Sequence, residues 1–350
     1  MKLHLIELLA IGTVIAAISS PAQTYNLQDL TPAPGTFYSK GTGLNDLGQA
    51  CGGSDSNGYF ATLFSNGRAT ELSSLATGDI PVAEGIDNST VVVGFEQINH
   101  TGPSHALVWS NGTVQDITAF SLFPGGATAS VIGKKSGEVV GVGITSSGAS
   151  HMFRYANGQM VDLGPATSPA TPVAINDSGA ILVSYAINTS SNVPAIYLNG
   201  TFTLLNPPAN ATVNAYGIND NGVVAGAIHY NTNAITPHAG LYMNGAWTDL
   251  GMLSGAGRGT IAWSINSAGQ LLGMAAYNPV YKPDIGVRTV PCILRNGVWI
   301  DLNTLISTNS TFYRALSRPV AINDAGQILI NTRNPLTMNG YRDAVLLTPK

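Results

Sequence analysis

Ala174-Ile175-Asn176-Asp177-Ser178-Gly179 and Gly217-Ile218-Asn219-Asp220-Asn221-Gly222 are two copies of one phrase, 43 residues apart. The phrase runs on into a Val-Val-Gly-like stretch and recurs along the chain, with hydrophobic anchors at Leu44, Ile86, Ile132, Ile175, Ile218, Ile265 and Ile322. Successive spacings are 42, 46, 43, 43, 47 and 57 residues. Self-similarity at such a period marks a repeat architecture. The copies at Ile265 and Ile322 are clear, and those at Ile86 and Ile132 are degraded but in phase.

Each copy resolves into four strands. The first, as in Ala170–Ile175 and Val213–Ile218, is rich in small residues and ends at the Ile-Asn pair. Asn-Asp-x-Gly is turn chemistry: Asn and Asp bond their own backbone and Gly accepts the left-handed conformation. A second apolar strand follows, such as Val223–Ile228, and then a third, such as His105–Trp109 or His151–Tyr155. Asn-Gly pairs at Asn66, Asn111, Asn157, Asn199, Asn244 and Asn296 predict tight hairpins into a fourth strand with a hydrophobic-Asp-Leu ending.

Four strands in about 43 residues are one propeller blade. The expectation is an all-β, seven-bladed β-propeller. The seventh copy stops at its third strand, Asp343–Leu347, and Tyr25-Asn26-Leu27-Gln28-Asp29-Leu30 resembles the fourth strand of the other copies. The N-terminal strand therefore closes the last blade, which removes two free sheet edges. Blades are expected at about 35–75, 78–119, 124–165, 168–206, 210–252, 257–304, and 314–350 plus 24–31, as one domain over 23–350. The first strand of each copy lines the axis, where its Ala, Gly and Ser fit the restricted space.

Composition agrees with this. Gly numbers 40, charged residues are only 10% against about 25% in ordinary domains, and the 44% hydrophobic residues supply a core. The net charge of −4 gives no reason to expect a nucleic-acid partner. The charge is uneven: from Arg258 onward nine Lys/Arg face four Asp/Glu, and residues 1–257 hold six against fifteen. Lys2, the apolar Leu8–Ser19 and the small-residue Ser20-Pro21-Ala22 read as a signal peptide over 1–22, cleaved near Ala22. A secreted monomer, periplasmic or extracellular and with no membrane span, is the expectation. Cys51 and Cys292 fall in non-adjacent copies at different strand positions, so two buried free thiols are expected rather than a disulfide.

His105-Ala106-Leu107 before Trp109-Ser110-Asn111-Gly112, His151-Met152-Phe153 before Asn157-Gly158 and Asp162-Leu163-Gly164, and His238-Ala239-Gly240 before Asn244-Gly245 and Asp249-Leu250-Gly251 share one pattern. It resembles the HAF-repeat family of extracellular bacterial repeat proteins, over essentially the whole mature chain. The resemblance implies an exported, propeller-like protein and supplies no catalytic residues. Some relatives end in a surface-sorting tail; here the sequence ends at Lys350 without one, so release rather than anchoring is expected.

No catalytic residue, metal site or cofactor is assigned. His105, His151 and His238 sit at equivalent places in separate blades, too far apart for ligands that must lie about 2 Å from one zinc ion. A bond within each blade is their expected role. Each Asp-x-Gly turn offers one carboxylate, where calcium wants six to eight oxygens. No Gly-x-Ser-x-Gly elbow or phosphate loop is present.

The repeat breaks most at about Tyr277–Thr289, between the second and third strands of blade 6, and at about Asn303–Arg314, between blades 6 and 7. Both insertions emerge on one face. They carry Tyr277, Tyr281, Lys282, Asp284, Arg288, Tyr313 and Arg314, and aromatic and Arg side chains dominate recognition sites. These seven are the candidate ligand-binding residues. The expected function is an exported, non-catalytic binding or scaffolding propeller whose partner is a glycan or a protein held by loops of blades 6 and 7. The alternative is an exported polysaccharide-active hydrolase or lyase on the same scaffold.

Overall fold

The computed structural model describes residues 23–30, 32, 35–55, 59–76, 79–100, 102–164, 170–188, 191–230, 236–277, 288–306, 315–333 and 341–350. The expected signal peptide lies outside them. The strands form seven four-stranded antiparallel sheets arranged as the blades of a β-propeller. Blade 5 is representative: its strands a to d, from the axis outward, are Ala211–Ile218, Val224–Tyr230, His238–Met243 and Ala246–Asp249. The seven a strands are Tyr38–Leu44, Val82–Ile86, Ala127–Ile132, Ala170–Ile175, Ala211–Ile218, Thr260–Ile265 and Ala315–Ile322, each in contact with the next in a closed cycle. Cys51 and Cys292 are buried free thiols, and burial pushes the Cys51 thiol up to about 12.

The last blade is closed by the first strand. Tyr25–Asp29 pairs antiparallel with Tyr341–Pro349, Tyr25 opposite Pro349 and Asp29 opposite Val345. Tyr25 is buried, its N–H donates to Leu305 O at 2.9 Å, and Arg295 donates to Gln23 O at 2.8 Å with its guanidinium over the Tyr25 ring. Across the seam to blade 1, the Asn331 amide accepts from Gly41 N (2.8 Å) and donates to Gly41 O (2.9 Å). Ser39 Oγ donates to Leu30 O at 2.7 Å and accepts from Ala344 N at 2.9 Å.

The six Asn-Gly hairpins take the predicted form. All six Asn have φ between 49° and 54° and all six Gly between 72° and 83°, the pairing that a two-residue primed turn requires. They join strands c and d on the same face as the a–b turns. That turn face is opposite the mouth face, which carries the b–c and d–a connections.

The Asn of each Asn-Asp-x-Gly turn acts in two directions. Its Oδ1 caps its own turn: Asn176 Oδ1 accepts from Ala180 N (2.9 Å), Asn219 Oδ1 from Val223 N (3.0 Å), and Asn323 Oδ1 from Gln327 N (2.8 Å). Its Nδ2 donates to the backbone carbonyl of the equivalent residue in the next blade. These rungs run from Asn45 to Asp87 O (2.8 Å), Asn176 to Asn219 O (3.0 Å), Asn219 to Asn266 O (3.1 Å), Asn266 to Asn323 O (2.9 Å) and Asn323 to Asn45 O (2.9 Å). The last of these joins blade 7 to blade 1 across 278 residues.

Two blades depart from the rule. Blade 3 has Gly133 in place of the Asn, and blade 2 has Asp87, whose carboxylate caps its own turn through Ser89 N (2.9 Å) and Val91 N (2.8 Å). A carboxylate has no N–H to pass on to the next blade. Burial pushes the Asp87 carboxyl above the usual range, against the opposing effect of the Val91 and Ser89 amides. A raised folded-state value disfavours the fold once pH climbs through it from the unfolded value of about 3.9. Asp87→Asn keeps the cap, adds the missing donor toward Gly133 and removes the buried charge. We expect it to stabilise the protein by about 1 kcal/mol at neutral pH. Urea unfolding at several pH values checks this, and the charge-derived part of the gain should disappear as pH falls through the Asp87 value to the unfolded value of about 3.9.

Candidate functional site

Every a strand carries an extra residue at one shared position, and that of blade 7 has a second irregularity between Leu316 and Arg318. The a–b register slips between Gly41 and Gly43, Ala83 and Gly85, Ala129 and Val131, Pro172 and Ala174, Ala215 and Gly217, Ala262 and Ser264, and Pro319 and Ala321. A bulge leaves its extra residue out of the ladder and re-aims its side chain. The bulged residues are Thr42, Glu84, Ser130, Val173, Tyr216, Trp263 and Val320. All but Thr42 line a cavity of about 380 Å³ on the propeller axis; the Thr42 hydroxyl donates to Ala83 O at 2.8 Å instead.

The bulge also explains the Gly that ends the repeat phrase. On strand b, a Cβ at Gly52, Gly94, Gly141 or Gly226 would overlap the carbonyl oxygen of Lys40, Val82, Thr128 or Asn214, two residues ahead of the bulge. In blades 4 and 7 the b-strand residue is Val183 or Ile330, and its partner is Pro172 or Pro319.

The cavity wall is uneven. Tyr216 and Trp263 stack with ring centroids 5.0 Å apart and planes 20° from parallel. The Trp263 indole N–H donates to Val320 O at 3.1 Å, which fixes the ring, and the Arg318 guanidinium lies 5.7 Å from its centroid. Burial pushes the Tyr216 hydroxyl up, with the Asn214 side chain opposing. Glu84 lies among blades 1 to 3, where burial raises its carboxyl and the Lys40 ammonium opposes the rise. Arg318, Lys40 and Asn214 share the next level toward the mouth face.

Toward the turn face the channel meets a second ring, built by the residue after the Asn. Asp46 N donates to Asn88 Oδ1 (2.9 Å), Lys135 N to Asp177 Oδ1 (2.8 Å), Asp177 N to Asp220 Oδ1 (2.9 Å), Ser267 N to Asp324 Oδ1 (2.8 Å) and Asp324 N to Asp46 Oδ1 (3.0 Å). Asn88 N to Lys134 O (2.8 Å) and Ser267 Oγ to Asp220 Oδ2 (2.8 Å) complete it. Four carboxylates would repel one another on so small a circle. The degraded third copy, Gly133-Lys134-Lys135-Ser136-Gly137, supplies their counter-charge.

Lys135 Nζ reaches Asp177 (3.3 Å), Asp220 (3.4 Å) and Asp324 (3.6 Å), from blades 4, 5 and 7, so it projects over the axis; Lys134 Nζ reaches Asp46 at 3.3 Å. The hydrogen bond to Asp177 and the surrounding carboxylates hold Lys135 well above the ordinary lysine value. Burial alone would raise Asp220, but the Asp177 amide, the Ser267 hydroxyl and Lys135 hold it below the usual carboxylate range.

The three expected His bonds are present, and their partner is the Asp of the Asp-Leu ending. Nδ1 of His105, His151 and His238 lies 2.6, 2.9 and 2.8 Å from Asp116, Asp162 and Asp249 of the same blade. The carboxylates in turn accept from Thr118 N (2.8 Å), Gly164 N (2.7 Å) and Gly251 N (2.7 Å), which fixes the start of each d–a connection.

Of the seven residues singled out from the insertions, Tyr281, Lys282, Asp284, Tyr313 and Arg314 lie outside the described residues. Tyr277 ends strand b of blade 6, partly buried against the core shared by blades 5 and 6, and its backbone pairs with Arg288 at the start of strand c. Tyr277 and Arg288 lie at the mouth-face ends of their strands. The axial residues are not among the seven. Their signal was an alignment column holding Thr, Glu, Ser, Val, Tyr, Trp and Val beside columns of mostly small residues: variability in a crowded place marks side chains that face open space.

Fold and site together define a seven-bladed propeller with an axial pocket. No family model matches the chain, and no curated protein does. Among solved structures, it is similar to streptogramin B lyase (TM-score 0.54, 9% identity, covering 95% of this chain and 100% of that one). It is also similar to the propeller domain of the trilobed protease of Pyrococcus furiosus, described as having an open velcro topology (0.53, 11%, 91% and 96%). A third is the extracellular domain of a hybrid two-component system from B. thetaiotaomicron (0.53, 11%); 92% of this chain is covered, but the chain spans only 39% of that protein's length. At these identities the likeness shows the fold alone. Unlike an open ring, this chain closes its last sheet with its own first strand.

The ammonium over the ring gives a direct test. Lys135→Met should cost about 1 kcal/mol or less at neutral pH and low salt, because Lys135 is more than half exposed and screened by water. Lowered carboxyl values contribute stability above the unfolded value of about 3.9 and lose it as pH falls through the folded one. The Lys135→Met deficit should therefore shrink as pH falls below the unfolded value of about 3.9, and also in 1 M salt, as followed by thermal unfolding.

Proposed function

We propose that this chain is an exported binding propeller that holds a glycan in its axial channel. The supporting observation is the Tyr216–Trp263 stack, which lines the axial cavity. Stacked, hydrogen-bonded indoles give a large rigid contact area at low entropic cost. A cavity of about 380 Å³ is in the size range of small-ligand sites. It suits one or two sugar rings better than a flat protein surface. The blade 6 and blade 7 connections, which carry Tyr277, Tyr281, Lys282, Asp284, Arg288, Tyr313 and Arg314 in the sequence, are the second part of the proposed glycan contact.

Among the described residues, the bulge layer holds one carboxyl group, Glu84, where glycoside hydrolysis uses two. The ring carboxylates are engaged by backbone N–H groups and lysines. This favours binding over hydrolysis. The His–Asp pairs give the repeated His and Asp-Leu-Gly positions a structural reason. Export through the 1–22 signal peptide completes the proposal.

A glycan array followed by calorimetry tests it. Trp263→Ala should weaken binding by at least about 1 kcal/mol, roughly fivefold, and Trp263→Phe should retain most of it. Absence of glycan binding by the folded wild type, or release of cleaved sugar during the titration, would overturn the proposal.

A further inference from the structure

One carboxyl group on the cavity wall has no part in holding the fold. Glu84, the bulged residue of blade 2, is half-buried and lines the axial cavity. Among the described residues, no hydrogen bond or ion pair reaches its carboxyl group, and the Lys40 ammonium acts on it only through the field. The other charged groups on that wall are committed. Asp177, Asp220 and Asp324 accept from backbone N–H groups and face Lys135 at 3.3, 3.4 and 3.6 Å. Lys134 pairs with Asp46 at 3.3 Å.

Blade position sets what faces Glu84. In a closed cycle of seven, blade 2 stands opposite the boundary of blades 5 and 6, and that boundary carries the Tyr216–Trp263 pair. Tyr216 and Arg318 cover the Trp263 ring. The pair is therefore a rigid apolar wall, and the group left to orient a bound molecule is the carboxyl group across the axis. An anion finds no free counter-charge on the cavity wall, because Lys134, the lysine that lines it, is already paired. A cation finds one.

We infer that the glycan is an amino sugar with a free, protonated amine, such as a glucosamine unit, whose ammonium is bound by Glu84. This rests on the glycan reading and names its substrate class. The sugar ring lies between the carboxylate of blade 2 and the aromatic wall of blades 5 and 6. An ammonium group brings three donors to a carboxylate, and such charge-assisted bonds are about twice as strong as neutral ones. Burial raises the Glu84 carboxyl because it loses water without gaining a partner, and a bound ammonium supplies that partner. The low-dielectric walls of a channel focus the field of such a group. An N-acetylated sugar brings a neutral amide to the same place and leaves the carboxylate unpaired.

The probes are the β-1,4-linked glucosamine disaccharide and its N-acetylated form, compared by calorimetry at about pH 6, where an amine is protonated. The free amine should bind at least about tenfold tighter at low salt, as one charge-assisted bond allows, and the advantage should fall as salt rises. Glu84→Gln keeps the shape of the side chain and should remove most of the advantage. Ser130 is the bulged residue of the adjacent blade and lines the same cavity. Ser130→Lys, which offers Glu84 an internal ammonium, should also abolish the preference, whereas Ser130→Met, of similar size, should keep it. This pair decides the matter should Glu84→Gln fail to fold, and thermal melting checks each variant. Glu71→Gln, exposed on the outer strand of blade 1, should change nothing.

Equal binding of the two disaccharides, or tighter binding of the acetylated one, overturns the amine inference and leaves the glycan reading standing. Binding of neither, with another glycan bound on the array, does the same. A preference undiminished in Glu84→Gln, or in Ser130→Lys, also overturns it, as does tighter binding of spermidine than of the glucosamine disaccharide. No glycan bound at all removes both readings.

Discussion

An asparagine side chain carries an acceptor and a donor on one rigid plane, and the ring of blades depends on both ends being used. The acceptor folds the a–b turn, and the donor ties that turn to the next blade. Local structure and assembly are thereby coupled through a single group. A blade whose turn is misfolded cannot reach its neighbour, and a blade out of place loses a cap. The link from Asn323 to Asn45 makes the ladder close across 278 residues. Apolar packing of one blade face on the next and the ring of bonds to the Asp carboxylates work beside that ladder in fixing the angle between sheets.

The same ring sets the pocket. Holding seven small-residue strands close to the axis leaves no room for ordinary side chains in the ladder, and the bulge places one residue per blade outside it. Those seven positions are freed from pairing, so they tolerate any size, and the wall can be aromatic on one side and polar on the other. The turn-face carboxylates come with the Asn-Asp phrase. Their mutual repulsion is partly offset by Lys134 and Lys135 of the degraded third copy, two positive charges against four carboxylates.

The architecture was legible because the repeat phrase combines two strong local signals: turn chemistry at Asn-Asp-x-Gly and hairpin chemistry at Asn-Gly. The closing strand was legible too, since Tyr25–Leu30 has the form of a d strand and the last copy lacks one. The pairing of His105 with Asp116 could be anticipated as a bond within the blade, though not by partner. The axial site was not legible in the same way. Glu84, Tyr216 and Trp263 each fall two residues ahead of an anchor, in strands that alternate by two, and a bulge shifts which face a residue takes. Nothing in the individual sequences announces that shift; only its occurrence in all seven copies does. Lys135 looked like decay of a repeat because its partners come from three other blades.

The most direct test of closure is native-state hydrogen exchange at the seam. The Asp324 amide, bonded across the blade 7–blade 1 boundary to Asp46, and the Gly41 amide, bonded to Asn331, should be as protected as the Asp177 amide, which bonds across the unexceptional boundary of blades 4 and 5. Protection at the seam equal to that at the internal boundary is the result a covalently open but physically closed ring requires. Exchange at Asp324 and Gly41 that is orders of magnitude faster, with Asp177 still protected, would show that the blades stack without closing.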